Sequence, residues 1–222
     1  MARKPIALIV GLGNPGDEYR HTRHNAGFDF VERLAAARGV RFAHQPKFFG
    51  ETARIGTLAG DVWLLKPLTY MNLSGQAVQP LASYYKITPE EILVVHDELD
   101  LVPGTMRLKF GGGSAGHNGL KDITQRLATS DFWRLRVGIG HPRSLCPGMA
   151  VADWVLGRPT AEQADGIAAC LEGALKAVDN LCVGKFDNAE RTLGKFAHPP
   201  KPAPRAEYTG APKIRARCAI MH

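Results

Sequence analysis

Long apolar runs, paired cysteines and zinc-ligand spacings are missing from this sequence. No apolar stretch is long enough to span a bilayer, and the first one, residues 6–10, is too short for the core of a signal peptide. Only four cysteines occur among the 222 residues, with no CxxC pair and no Cys and His set at zinc-finger spacing. We therefore expect reduced thiols in a cytoplasmic protein, without a membrane span or a structural zinc.

Three catalytic signatures are absent or incomplete. No GxSxG sequence occurs, which disfavours a serine hydrolase of the usual α/β type. Gly111 and Gly116 have the P-loop separation, but His117 and Asn118 follow where Lys and Ser or Thr are required, which disfavours ATP chemistry. Residues 11–16 satisfy GxGxxG, but no acidic residue occurs from 34 to 49, where a dinucleotide site requires one. A nicotinamide-dependent oxidoreductase is therefore kept as the third hypothesis.

Positive charge is concentrated at the end of the chain. The formal net charge is +7, and residues 195–222 hold six Lys and Arg against one Glu, which leaves +2 for residues 1–194. If the body binds RNA, it must use a local patch and not its overall charge. The end of the chain is also rich in proline, so we expect one domain over residues 1–196 and a tail outside the core over residues 197–222.

Apolar periodicity predicts alternating strands and helices. Buried strands are expected at residues 6–10, 92–96, 105–110 and 135–140, and a pair of strands around a turn between residues 48 and 66. Helices are expected at residues 26–38, 72–86, 118–128 and 162–179. Such alternation indicates an α/β layer architecture with a parallel or mixed sheet.

A histidine and an aspartate are the candidates for acid–base chemistry. His24 precedes a predicted helix, whose N-terminus disfavours the imidazolium and favours a neutral ring that accepts a proton. Asp97 follows an apolar strand, where α/β folds place ligands, and could orient a histidine. A metal site made of His24, His96 and Asp97 is the rival interpretation, although no helical ligand spacing supports it.

Amides and cations lie near the predicted turns. Asn14 in the first glycine turn and Asn72 at a strand-to-helix junction could donate to a carbonyl or hold a water. The second glycine loop is preceded by Lys109 and followed by three cations that could add charge for a phosphate backbone: Lys121, Arg134 and Arg136. Taken together, these residues indicate hydrolysis by an activated water, without naming the substrate.

Six strings, in this order, resemble bacterial peptidyl-tRNA hydrolases: LIVGLGNPG, TRHNAG, KPLTYMNLSG, HDELDLVPG, GGGSAGHNGLKD and RLRVGIGHP. The resemblance runs from Leu8 to about Pro159. It implies a single-domain, three-layer α/β/α sandwich with a mixed, twisted central sheet, which acts as a monomer without metal or cofactor. It also implies hydrolysis of the ester that joins a peptide to the 3′ end of tRNA, which recycles the tRNA.

The same resemblance implies roles for individual residues. His24 would be the base that activates water, Asp97 would hold and polarise it, and Asn14 would contact the peptide side and help to reject unblocked aminoacyl-tRNA. The remaining implied contacts are Asn72 and Asn118 near the ester, Tyr19, Tyr70 and Met71 along the cleft, and Lys109 and Arg136 on tRNA phosphate.

One departure and one alternative remain. Residues 144–149 are apolar where many relatives carry lysines, so the extent of tRNA contact near Val151 is open. Plant organellar splicing factors resemble the same family, so a non-catalytic RNA-binding module is the second hypothesis. The intact set of His24, Asp97, Asn14 and Asn118 favours the enzyme, because binding alone does not require a base and its partner.

Overall fold

A mixed seven-stranded sheet forms the centre of the computed structural model, which describes residues 3–197 and 199. Its strands are β1 (Leu8–Gly11), β2 (Ala43–Gln45), β3 (Gly50–Thr57), β4 (Gly60–Pro67), β5 (Ile92–Glu98), β6 (Met106–Phe110) and β7 (Trp133–Gly138). They lie in the order β2-β3-β4-β1-β5-β7-β6. β1, β4, β5 and β7 are parallel, while β3 and β6 run antiparallel to their neighbours.

Helices cover both faces of this sheet. Within the described residues they are α1 (Ala26–Ala37), α2 (Gly75–Tyr84), α3 (Asn118–Leu127), α4 (Pro142–Leu145), α5 (Val151–Leu156), α6 (Ala161–Leu175), α7 (Val178–Cys182) and α8 (Phe186–Lys195). α1 ends before Gly39, whose φ of 65° is left-handed, as expected of a glycine after a helix. No helix in this part of the chain is long and apolar enough to cross a membrane.

Two apolar clusters separate the layers. Side chains alternate along each strand, so Ile9 and Leu93 enter the cluster that contains α1, α6 and α8, which we call the first core. Val10 and Val94 enter the cluster that contains α2 and α3, the second core. Strands buried on both faces read as continuous apolar runs, which is why the sequence shows them clearly. The predicted three-layer α/β/α arrangement is confirmed.

The N-terminal end of α1 touches the sheet backbone directly. A Cβ atom on Gly27 would lie 2.3 Å from the Leu12 nitrogen and 2.3 Å from the Val95 oxygen. A Cβ atom on Gly11 would lie 2.2 Å from the Gly27 oxygen. The helix therefore approaches β1 and β5 as closely as two main chains allow, and this contact brings the residues before α1 to the carboxyl ends of both strands.

Several element boundaries differ from the predictions. The strand expected at residues 92–96 continues to Glu98, because His96, Asp97 and Glu98 keep their pairing with β7. The helix expected at residues 162–179 ends at Leu175, and α7 is a separate helix. β2 was not predicted, since it has three residues and no apolar alternation. The helix expected from Asn72 begins at Gly75, after a short 3-10 turn.

The proposed division of the chain stays a prediction. The core elements lie within residues 1–196, the span assigned to the domain. The expected tail, residues 197–222, lies outside the described residues apart from Ala197 and Pro199.

Candidate active site

A cavity of about 610 Å³ opens at the carboxyl ends of the central parallel strands. This is the edge at which open α/β sheets bind ligands. Seven of the ten predicted site residues line it: Asn14, His24, Tyr70, Met71, Asn72, Asp97 and Asn118. Five separate segments of the chain therefore meet here, as the family resemblance implied.

An imidazole and a carboxylate are paired in the cavity wall. His24 lies in a 3-10 turn, Arg23–Asn25, that leads into α1, and Asp97 is the sixth residue of β5. His24 Nδ1 is 2.8 Å from Asp97 Oδ1. Since an ionised carboxylate only accepts, Nδ1 donates its proton to Asp97, and the Nε2 lone pair of the neutral ring is left to accept one.

A second imidazole binds the same carboxylate oxygen. His117 Nε2 is 2.9 Å from Asp97 Oδ1, and the ring centroids of His117 and His24 are 5.1 Å apart. The Leu120 N–H donates to His117 Nδ1 at the start of α3, so the proton of this ring is on Nε2 and points at Asp97. His117 was not among the predicted site residues. The sequence feature that could have identified His117 is its position between a glycine loop and the start of a predicted helix.

Asp97 controls the protonation of His24. Burial lowers the pKa of His24, but the charge of Asp97 and the hydrogen bond to it outweigh burial, so the pKa is raised above its ordinary value. Burial opposes ionisation of Asp97, yet His24 and His117 hold the pKa of that carboxyl far below its usual range. The helix N-terminus was expected to keep His24 neutral, but the carboxylate at 2.8 Å is the stronger influence, so the net shift of the His24 pKa is upward.

His96 does not join this group. Its Nδ1 donates to the Asp97 carbonyl oxygen at 2.7 Å, and its Nε2 is buried without a hydrogen-bond partner in residues 3–197 and 199. Burial lowers the pKa of His96 to about 3, so the ring is neutral at physiological pH. Among the described residues, the ligand atom of His96 does not come together with those of His24 and Asp97, so the metal site postulated from these three residues is not formed.

A different set of ligands could hold a cation. His24, Asp97 and His117 each offer one ligand atom, and these atoms lie within 4.8 Å of one another. Two histidines and a carboxylate suit a divalent transition metal. Both imidazoles, however, direct a proton at Asp97, so a metal would have to displace these protons. The geometry fits a hydrogen-bonded acid–base group better than a ligand set.

Asn14 is held by main-chain and side-chain contacts. Its Oδ1 accepts from the Met71 N–H at 2.7 Å. Its backbone N–H donates to Asn25 Oδ1 at 2.8 Å, and its carbonyl accepts from Asn25 Nδ2 at 2.9 Å. The bond to Met71 uses the amide oxygen, so the two Nδ2 protons are the groups that remain to donate to a ligand.

The other amides and the aromatic residue lie at the accessible part of the cavity. Asn72 is exposed in the 3-10 turn before α2, and Asn118 is the exposed first residue of α3. Tyr70 is 61% exposed, which places it at the rim, while Met71 is buried. These positions agree with the contacts expected for the four residues, and their roles stay predictions.

Three predicted site residues lie outside the cavity wall. Tyr19 lines no part of the cavity, and its carbonyl accepts from the Thr22 hydroxyl in the turn before His24. Arg136 donates from Nε to Glu98 Oε2 at 2.8 Å, and Glu98 does line the cavity. Lys109 is exposed on β6, beside Gly112. Arg136 is thus one residue removed from the cavity, and phosphate binding by both cations stays a prediction.

Arg134 has a structural position instead of the expected phosphate contact. It is 2% exposed, and its two terminal nitrogens donate to the carbonyls of Gly112 and Gly113, each at 2.6 Å. The second glycine loop is therefore anchored by a guanidinium. Burial and the nearby Arg136 lower the pKa of Arg134.

Known proteins match this chain along most of its length. A family model described as Peptidyl-tRNA hydrolase matches residues 8–201. A peptidyl-tRNA hydrolase of Neisseria gonorrhoeae (strain NCCP11945) is 54% identical over 190 residues, which are 85% of this chain and 96% of that protein. One of Azoarcus sp. (strain BH72) is 52% identical over 204 residues, which are 92% of this chain and 89% of that protein.

Solved structures agree. A crystal structure of peptidyl-tRNA hydrolase from Acinetobacter baumannii superposes with a TM-score of 0.79 at 47% identity, covering 87% of this chain and 95% of that chain. The motif-based resemblance is thereby confirmed over sequence and fold, and the chain belongs to the peptidyl-tRNA hydrolase family.

Proposed function

We propose that this protein hydrolyses the ester bond of peptidyl-tRNA and releases a peptide and free tRNA, with His24 as general base. The observation that carries the proposal is the 2.8 Å hydrogen bond from His24 Nδ1 to Asp97 Oδ1 in the wall of the cavity. This bond leaves the Nε2 lone pair of His24 available for a water. Membership of the family supports peptidyl-tRNA as the substrate.

Water supplies the nucleophile in the proposed reaction. His24 Nε2 removes a proton from the water as its oxygen attacks the ester carbonyl carbon. The negative charge that develops on the carbonyl oxygen is stabilised by amide donors, for which Asn14, Asn72 and Asn118 are the candidates in the cavity. When the tetrahedral intermediate collapses, the C–O bond to the ribose breaks, and the proton on His24 passes to the departing ribose oxygen.

Asp97 acts through His24 in this scheme. Its charge stabilises the imidazolium that forms during attack, and its hydrogen bond keeps Nε2 directed at the water. His117 binds the same oxygen of Asp97, so it fixes the orientation of the carboxylate. Asp97 remains ionised throughout, which agrees with a pKa held below its usual range.

The proposed reaction needs no metal and no cofactor. The proposed substrate contacts lie in two regions. The peptide side would meet Asn14, Tyr70 and Met71, and the phosphates would meet Lys109 and Arg136. Tyr19, outside the cavity wall, would contact a substrate that extends beyond the cavity. We further propose a cytoplasmic monomer.

The decisive experiment compares two substrates and two variants. Purified protein is incubated either with an N-acetyl aminoacyl-tRNA or with its unblocked counterpart. Excess chelator is present in both reactions, and the release of the amino acid is measured. We expect release from the blocked substrate alone, and a loss of about 10²–10⁴-fold in kcat for His24→Ala. His44→Ala is the matched control, because His44 is an exposed histidine on β2.

The outcomes separate the hypotheses. No release by folded wild-type protein that still binds tRNA would favour the non-catalytic RNA-binding module. If activity is present without chelator and is lost with it, the result would indicate a metal held by His24, Asp97 and His117. Retention of full activity by His24→Ala would contradict the assignment of the base.

A further inference from the structure

Arg23, the residue before His24, is a buried cation without an acidic partner. It is 6% exposed, and no carboxylate among residues 3–197 and 199 forms an ion pair with it. Burial lowers the pKa of its guanidinium to about 10, so it is charged at neutral pH. Burying a charge without a counter-ion is costly, so stability alone would favour an apolar side chain of similar length here.

The side chain and the backbone N–H of Arg23 contact one later segment of the chain. Its Cζ atom lies 3.5 Å from the centroid of the Trp154 ring, a cation–π arrangement. One terminal nitrogen donates to the Trp154 carbonyl at 3.2 Å, and the other donates to Gln163 Oε1 at 2.9 Å. The Arg23 backbone N–H donates to the Gly157 carbonyl at 3.0 Å. Arg23 therefore ties the turn that contains His24 to α5 and α6.

The helix that Arg23 holds is a wall of the cavity. α5 has six residues, too few to be stable without tertiary contacts. Trp154 faces the first core and donates from Nε1 to the Gly140 carbonyl at 2.9 Å. Four other α5 residues line the cavity: Val151, Ala152, Val155 and Leu156. The position of this apolar wall relative to His24 thus depends on the residue that precedes His24.

This wall lies away from the cations assigned to RNA. Leu108 and Leu135 enter the first core, with which α5 packs. Lys109 and Arg136 follow them in β6 and β7, so their side chains emerge on the opposite face of the sheet. An apolar surface on the opposite face of the sheet from Lys109 and Arg136 suits the amino-acid side chain next to the ester.

We propose that Arg23 is a positioning residue that holds α5 at a set distance from His24 and so gives the site a preference for a large apolar side chain on the esterified residue. The inference rests on the hydrolase activity proposed above. Arg23 would affect which peptidyl group binds, while His24 would carry out the chemical step.

The test uses one tRNA carrying either N-acetyl-leucine or N-acetylglycine. We expect Arg23→Met to raise KM for the leucine ester by roughly tenfold, and to change KM for the glycine ester by less than about twofold. For both esters, the kcat of Arg23→Met should stay within about threefold of the wild-type value, because His24 is unchanged. Arg41→Met is the control, since Arg41 is an exposed arginine.

A second pair of variants keeps Arg23 in place. Gln163→Leu removes one acceptor of the guanidinium and should give a smaller rise in KM for the leucine ester alone. Gln163→Glu retains an oxygen acceptor and should behave as wild type. If Arg23→Met does not fold, this pair decides the question.

Equal changes on both esters, in KM or in kcat, would overturn the proposal, because general destabilisation does not distinguish the two substrates. Failure of the wild-type protein to cleave either ester would instead refute the hydrolase activity itself. The two failures are therefore separable.

Discussion

Asp97 is the residue on which the geometry of the site depends. One carboxylate oxygen accepts from His24 at 2.8 Å and from His117 at 2.9 Å, while the main chain of the same residue accepts from His96. One strand residue thus orients three imidazoles, which differ in their access to the cavity and in their hydrogen bonds. His24 keeps a free lone pair toward the cavity, His117 is fixed at the start of α3, and His96 is buried and neutral.

Removal of the charge of Asp97 should change the pH dependence of activity. The base must be neutral to accept a proton, so kcat/KM rises with pH through the pKa of His24. The charge of Asp97 raises that pKa, so in Asp97→Asn the rise should move to lower pH while the plateau falls by about 10²–10⁴-fold. Initial rates on N-acetyl aminoacyl-tRNA across pH 5–9 measure both changes.

Asp165→Asn is the matched control, because Asp165 is an exposed acid on α6. A lower plateau with an unmoved rise would show that Asp97 orients His24 without setting its pKa. A rise displaced to higher pH would contradict the electrostatic assignment.

At the scale of secondary structure elements, alternation along β6 and β7 places apolar side chains on one face of the sheet and basic side chains on the other. Leu108 and Leu135 pair across the two strands and enter the first core. Lys109 and Arg136 come next in each strand and face the other way, and Arg107 pairs with Arg136 in the register. Arg107 therefore joins the two predicted cations on this face, although the motifs did not single it out.

Binding to RNA should depend on this strand pair and be sensitive to salt. Lys109→Ala and Arg136→Ala should each weaken tRNA affinity and reduce the slope of log Kd against log salt by about 1, with kcat at saturating substrate largely unchanged. Titrations at several salt concentrations give the slope, with Arg41→Ala as the control for an exposed cation elsewhere. Unchanged slopes in both variants would remove these residues from the interface.

Across the whole molecule, the sheet and its two cores account for what the sequence could predict. Buried parallel strands and amphipathic helices leave clear apolar patterns, so the layer arrangement and most elements were predicted. The pairing of His24 with Asp97 joins residues 73 positions apart, and no local pattern encodes such a distance. The motif resemblance provided it instead. His117 and the anchoring role of Arg134 depended on loop conformation, which periodicity does not reveal.

The basic end of the chain should be separable from the catalytic body. A chain that stops before Pro199 loses most of the segment that holds +5 of the +7 net charge, but none of the residues that line the cavity. We expect its kcat on N-acetyl aminoacyl-tRNA to stay within about twofold of the full chain, and its affinity for tRNA to weaken modestly at low salt. Steady-state kinetics on both lengths, with folding checked by circular dichroism, measure this. Loss of turnover in a folded truncated protein would place the end of the chain in the catalytic unit.

The contact between α1 and the sheet has a genetic consequence. Every missense change in a glycine codon adds at least a Cβ atom, and at Gly27 that atom would fall 2.3 Å from two main-chain atoms that cannot move aside. At Gly56, by contrast, an added Cβ meets nothing within 4 Å. Every replacement of Gly27 therefore brings a side-chain atom into collision with the main chain, whereas a side chain at position 56 has room. Backbone contact, and not participation in the chemistry, thus restricts the mutations that the gene tolerates at codon 27.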